Sequence, residues 1–515
     1  MLIPIASEIT VVTPQLTDSH PTLEATMTTE TSRPIGGASR PPLVEVRSID
    51  WVPVNERHGK LWHQAPLWFL GNFQYFSIPI GFIGPSLGLS LGWTVVASIL
   101  GIGIGTLFMA FHASQGPHMG LPQMIQSRAQ FGFRGLIVPL LATLFTYLAF
   151  NVADTVLLGE GLKSAFGWNP TVVSVTAAVI AAALAIFGHD WVHRAFRILL
   201  YISLPLMVIV TIGIIAGGAG GHDTSAKYGF TIVAFMAQLT AAAAYNITYA
   251  PYVSDYSRYL PVTTRPRSVI TAVFFGASSS ALWLIIIGAW LAIRLGATDG
   301  LAGLQLAGNN VFVHLGDAAA LLSALALVAT MGMNAYGGML TVLTSIDSFR
   351  PLKPTRAARV VTILVLTVIW YGVATLINTG GVATVFSSLT LMLYLLVPWT
   401  ATNLVDYFIV RKGHYAITDL FSVRGVYGRW AWRGLAAFGV GFAFEIPFMV
   451  IPELGSWHYT GPIAAALGGL DIAWLVGLAA TSVSYLIFTR SLDLAAEREA
   501  ERLSEAELAA QESRR

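Results

Sequence analysis

Twelve stretches of this chain each hold about 20 mostly apolar residues, the length a helix needs to cross the hydrocarbon core of a bilayer. They lie near 65–89, 92–112, 135–158, 171–187, 196–217, 229–253, 268–293, 314–345, 358–378, 383–403, 432–452 and 470–489, and are called runs one to twelve below. A soluble domain carries roughly 25% charged residues, whereas 11% of these 515 residues are charged and 55% are hydrophobic. Lipid offers the backbone no hydrogen-bond partners, so spanning segments of this length close their bonds internally as helices. The expected fold class is an all-α membrane protein with 12 transmembrane helices.

Basic residues give the orientation. Loops after even-numbered runs hold sixteen Lys and Arg, and loops after odd-numbered runs hold three, Lys163, Lys227 and Arg294. Cytoplasmic loops keep such an excess, so both termini are expected in the cytoplasm of a multi-pass plasma-membrane protein. The formal charge of +2 gives no reason to expect a nucleic-acid partner. The chain has no cysteine, which excludes disulfides and thiolate metal sites.

Two runs are interrupted by polar and helix-breaking residues. Run one reads PLWFLGNFQYFSIPIGFIGPSLG, with Asn72, Gln74 and Ser77 ahead of Pro79, Gly81, Gly84 and Pro85. Run six continues as AAAAYNITYAPYVSDYSRYLP, with Tyr245, Asn246, Thr248, Tyr249, Pro251 and Tyr252 close together. Irregular backbone at membrane depth persists only where it lines a cavity or is covered by protein. Discontinuous helices at matching positions of two halves point to a transporter binding site. Runs one and six are five apart, so a second five-helix unit enters the bilayer upside down relative to the first, with runs eleven and twelve left over. Residues 47–490 are therefore read as a transporter domain. Residues 1–46, rich in Thr, Pro, Ser and Glu, are read as a disordered cytoplasmic tail. Residues 491–515, with seven acids against four arginines, are read as a charged, solvated cytoplasmic helix.

Several segments resemble the nucleobase-cation symporter family, which comprises purine-cytosine permeases and hydantoin or allantoin carriers. They are VRSIDWVPVNERHGKLWHQAPLWFLGNF before run one, GPHMGLPQMIQSRAQFGFRG after run two, SDYSRYLP after run six, LVDYFIVRKGHYAITDLF after run ten and GGLDIAWLVGL at run twelve. The resemblance implies a leucine-transporter-like, five-plus-five inverted repeat, with substrate held between runs one, three, six, eight and ten. Carried over residue by residue, it implies Gln74 as an amide for the edge of a flat heterocycle and Phe150 as a stacking face. Asp154 falls one turn further along run three. Tyr245 and Asn246 bracket a position that is Trp in some bacterial relatives. Asn334 aligns with a recurrent Asn, and Gly338 with a substrate-binding Asn of some relatives.

The resemblance also implies where sodium-coupled members hold their ion: carbonyls near Leu70, Phe73 and Ala329, and two hydroxyls whose positions here are Gly332 and Met333. Two missing ligands leave a hard cation poorly compensated, so no conventional sodium site and no cofactor are expected. Asp154 offers another route, since carboxylates near the bilayer centre mark relays or substrate partners. It is read as a proton relay, as an ionised partner for a cationic ring or amine, or as a hydrogen-bond acceptor for a neighbouring helix.

Other signals are set aside. GIGIGTLF from Gly101 is read as a helix-packing surface rather than a phosphate loop. His112, His118, His189, His193 and His414 lie near loops without a ligand-like cluster, and solvated or capping roles are expected. Asp255, Arg258, Asp406 and Arg411 are read as interfacial anchors and gate salt bridges, and Glu445 and Asp471 as structural or oligomer contacts. The functional expectation is an importer of a small planar heterocycle, cytosine or a purine first, driven by protons. Allantoin, hydantoin, uracil and cationic vitamins such as thiamine or pyridoxine stay open, as does a channel-like facilitator. A membrane enzyme would need a nucleophile, base or metal constellation, and the runs hold none.

Overall fold

The computed structural model describes residues 50–513 apart from 188, 223–226, 351–354, 378–379 and 455–456. The tail expected over 1–46 lies outside the described residues. Among the described residues, nine helices are long and apolar enough to cross a membrane. They include Leu91–Ala113, Ile137–Phe166, Pro266–Arg294, Leu315–Asp347 and Gly381–Val405, which carry runs two, three, seven, eight and ten.

Runs one, six and eleven fall outside that set because their helices are short. Run one is built from Gln64–Asn72, Ser77–Ile80 and Ile83–Ser86. The chain leaves helical geometry at Phe73, where ψ is 65°, and Pro79 and Pro85 cannot donate to any helical ladder. The Ser77 hydroxyl donates to the Asn72 carbonyl at 2.6 Å, so one backbone acceptor freed at the break is answered by a side chain. Run six is Ile232–Ile247 followed by Ala250–Ser257. Its interruption is softer, because Thr248 and Tyr249 keep right-handed helical dihedrals and the Thr248 hydroxyl takes the Tyr245 carbonyl at 2.7 Å. Pro251 then falls in the first turn of the second piece, where a missing N–H costs nothing. Run eleven is a helix over Trp432–Glu445 and a single turn over Ile446–Phe448.

Two elements escape the apolar pattern. A helix, Gly300–Val311, lies between runs seven and eight, and Asp299 caps it by accepting from the amides of Leu301 and Ala302 at 2.9 and 2.8 Å. Between runs eleven and twelve, strand β1 (Val450–Leu454) pairs antiparallel with strand β2 (Trp457–Thr460), in register Val450 to Thr460 and Ile451 to Tyr459.

The core is built on close backbone approach. Gly101 and Gly105 of run two lie against the backbone of Leu239 and Ala243 in run six, where any Cβ would strike a carbonyl. The glycine-rich stretch is thus a contact surface between two helices. The C-terminal helix, Leu494–Ser513, is not solvated all round as expected, because Glu497 and Ser504 are buried against the chain. Arg411 donates through Nε and Nη2 to the two Glu497 oxygens at 2.6 and 2.8 Å. The Ser504 hydroxyl accepts from the Thr418 amide at 3.0 Å, and Glu512 accepts from the Val54 amide just ahead of run one.

Candidate substrate and coupling site

Run three is an unbroken helix whose residues 147, 150, 151 and 154 recur at helical spacing and are all buried. Tyr245, Tyr249 and Tyr252 have the same relation along run six, and all three are buried. The two faces meet in an aromatic cluster. Phe150 stacks on Tyr249 with ring centroids 6.0 Å apart and meets Phe76 of run one edge-on at 5.2 Å. Phe76 stacks on Tyr245 at 5.6 Å, and Tyr147 stacks on Tyr252 at 5.4 Å. Such rings present flat faces whose replacement by another aromatic ring keeps the same stacking geometry.

Asp154 is 1% exposed, and neither carboxylate oxygen has a hydrogen-bond partner among the described residues. It lies within electrostatic reach of the Tyr245 and Tyr249 hydroxyls. The reading of Asp154 as an acceptor for a neighbouring helix therefore loses its partner, whereas the relay and substrate-partner readings keep an available carboxyl. Among the described residues, the Tyr252 hydroxyl and the Trp68 indole nitrogen are also buried without a hydrogen-bond partner.

The other expected residues are engaged within the protein. Gln74 donates to the Tyr245 hydroxyl at 3.0 Å and accepts from the Phe76 amide at 2.7 Å. Asn246 accepts from Asn72 at 2.8 Å and donates to Thr106 at 2.6 Å, which ties runs one, two and six together. Asn334 donates to Asn151 at 3.2 Å, and Asn151 in turn donates to the Met331 carbonyl at 3.2 Å. Gly338 faces Leu366 of run nine and Tyr147 of run three. Phe76, Tyr147 and Asn151 were absent from the sequence expectation, and Tyr249 and Tyr252 entered it only as residues of the run-six interruption, not as site residues. The spacing of Tyr245, Tyr249 and Tyr252 by four and three is a signal that could have placed the tyrosines on one face.

At the locus expected for sodium ligands, the side chains of Leu70, Ala329 and Met333 pack together with Phe196. Gly332 turns toward Leu184 and Ala181 of run four. Among the described residues, no group of three His, Asp or Glu side chains stands close enough to hold a metal ion.

A cavity of about 900 Å³ adjoins this region, lined by Tyr75, Leu157, Glu160, Asp299, Gly381 and Asp471 among others. Its charged lining residues are carboxylates, with His458 as the one imidazole. Burial pushes the Asp299 carboxyl above the usual range, against the amides of its helix cap and the Tyr75 hydroxyl, which donates to it at 3.2 Å.

Two expectations outside the site need correction. His112 is neither solvated nor capping; it is fully buried, stacked on Trp399 at 4.6 Å and 3.1 Å from the Gln123 amide nitrogen. Glu445 and Asp471 are buried within the chain, so an oligomer contact does not account for them. By contrast, Asp406 and Arg411 form an ion pair, which the Tyr485 and Tyr415 hydroxyls extend by donating to Asp406 at 2.8 Å each. His118 is exposed, and His414 lies 3.0 Å from Glu501; the side chains of His189 and His193 lie outside the described residues.

Membrane-length helices thus surround a buried aromatic cluster and a carboxyl that no described residue engages by a hydrogen bond. Residues 51–477 match the family of permeases for cytosine/purines, uracil, thiamine and allantoin. The chain belongs to that family, whose members are permeases rather than enzymes. It is 36% identical over 453 residues to a putative purine-cytosine permease, YxlA, of Bacillus subtilis, covering 87% of this chain and 96% of that one. It is 23% identical to the purine-cytosine permease fcyB of Emericella nidulans, covering 86% and 88% of the two chains. The fold is similar to the inward-facing structure of Mhp1, with a TM-score of 0.67 at 19% identity, covering 90% of this chain and 98% of that one.

Proposed function

We propose that the protein imports a small planar nitrogen heterocycle, cytosine or a purine first, across the plasma membrane by alternating access with proton symport. On this reading the chain crosses the bilayer twelve times with both termini in the cytoplasm. Runs one and six are discontinuous spans whose breaks face the substrate. The single observation that carries the reading is Asp154: a buried carboxyl without a hydrogen-bond partner among the described residues, one turn along the helix from Phe150 of the aromatic cluster. A flat base can insert between faces that now touch one another, while its N–H edge or exocyclic amine donates to Asp154.

Proton coupling draws support from energetics. An unpaired ionised carboxylate in a low-dielectric interior is costly, so Asp154 gains from either a proton or a donating substrate. The two side-chain hydroxyls of a conventional sodium site are replaced by Gly332 and Met333, which leaves a hard cation fewer oxygens. In proteoliposomes, an inward proton gradient should drive accumulation of radiolabelled cytosine or adenine, and a sodium gradient at fixed pH should not. Asp154→Asn should abolish pH-driven accumulation while retaining exchange. Unchanged accumulation by that variant would end the relay reading.

A second reading rests on the same carboxyl kept ionised, with a cationic heterocycle such as thiamine or pyridoxine as its partner. The carboxylates lining the adjoining cavity favour a cation's approach. A competition panel of nucleobases, uracil, hydantoins, allantoin and these vitamins separates the two. Saturable counterflow distinguishes a carrier from a channel-like facilitator.

A further inference from the structure

Runs eleven and twelve stand outside the ten-helix unit, yet their interface contains buried polar groups that the transport reading does not use. Glu445 ends the helix of run eleven and is 0% exposed, and neither of its carboxylate oxygens has a partner among the described residues. Its carboxyl lies directly on Gly477 of run twelve, where a Cβ would collide with it. The contact is reciprocal one turn away. Thr481 of run twelve seats its hydroxyl on Gly441 of run eleven, and that hydroxyl is also buried without a partner. Two glycines thus make sockets for two polar side chains.

The ionisable groups around Glu445 are few. From run twelve comes Asp471, which acts on it electrostatically. From run ten comes Tyr394, whose hydroxyl donates to Asp471 at 2.6 Å. The hairpin supplies Tyr459, which donates to the Ile446 carbonyl at 3.1 Å, and His458, which lines the large cavity. The basic residue on its own helix, Arg433, is twelve positions away, about 18 Å along the axis. Among the described residues, a charged Glu445 would therefore face another acid, with no cation acting on it and no donor on either oxygen. Asp471 lines the cavity, so the pair has a route to solvent.

We infer that Glu445 is a second proton-binding site, separate from Asp154, which holds its proton in the Gly477 socket and exchanges it with the cavity by way of Asp471. A metal ion finds too few oxygens there, since Asp471 is already engaged by Tyr394 and by the Ala473 amide at 3.0 Å.

Infrared spectra of the purified protein at neutral pH test this directly. Glu445→Gln should lose one band of a protonated carboxyl that Asp154→Asn retains. A spectrum unchanged by Glu445→Gln overturns the inference and leaves the Asp154 reading untouched. A proton held in the folded state and released on unfolding makes stability fall as pH rises. Melting temperature should accordingly decline less steeply from pH 5 to 8 in Glu445→Gln than in wild type, and equal slopes count against the site. Should the variant fail to assemble, wild-type protein can be treated with a hydrophobic carbodiimide, to which a protonated carboxyl gives its proton and then adds. Mass spectrometry should find the adduct on Glu445, with a yield that drops as pH rises, and no adduct at any pH overturns the inference.

Discussion

Phe150 and Tyr249 stack on one another with ring centroids 6.0 Å apart. A base that slides between them gains a stacking contribution of about 0.5–1.5 kcal/mol per ring. Phe150→Ala or Tyr249→Ala should therefore raise the uptake KM by roughly 2- to 12-fold, with expression unchanged, as measured by initial-rate uptake. Asp299 makes a prediction of a different kind. Burial raises its folded-state value, so the folded protein binds more protons there than the unfolded chain, and stability falls as pH climbs above the ordinary carboxylate value of about 3.9. Asp299→Asn keeps a good helix cap and should flatten that decline in a melting series between pH 4 and 7. Residue type alone made Asp154 legible, because a carboxylate inside an apolar run has few uses. It could not show that Gln74, Asn246 and Asn334 would already be satisfied by protein neighbours, since pairing depends on side chains 171, 174 and 183 positions away in sequence.

At the scale of elements, proline and glycine made both interruptions readable but left their depth open. Run one leaves helical dihedrals altogether, whereas run six loses its regular hydrogen bonding while keeping them. In both, a side-chain hydroxyl answers a carbonyl at the break, Ser77 in run one and Thr248 in run six. The short helix Gly300–Val311 and the β-hairpin carry no long apolar run, so hydropathy could not reveal them. The C-terminal helix was legible as a helix from its composition, but its docking was not. Only the fold brings Glu497 to Arg411, 86 residues apart. Removing one partner from a buried ion pair costs on the order of 3 kcal/mol. Glu497→Gln should therefore lower the melting temperature of the purified protein, with a smaller effect for Glu499→Gln, whose pairing with Arg502 is exposed.

For the whole molecule, the asymmetry of basic residues sets the proposed sidedness, and the lack of cysteine makes it simple to test. A single Arg424→Cys variant in the loop after run ten should react with an impermeant thiol reagent only when the cytoplasmic face is open. Ala466→Cys, after run eleven, should react in intact cells; both side chains are exposed. The reverse labelling pattern would invert the topology and turn the proposed importer around.

The C-terminal helix links two parts of the chain that lie far apart in sequence. The first turn of the terminal helix grips the exit of run ten through Arg411, and its last turn touches the backbone at Val54, just ahead of run one. A single rod is therefore fastened to both jambs of one doorway. If those jambs part during each turnover, the rod must let go of one of them. The far end of the chain then becomes a turnstile counter, and a bulky reporter fused there would weigh on the hinge it was meant to watch.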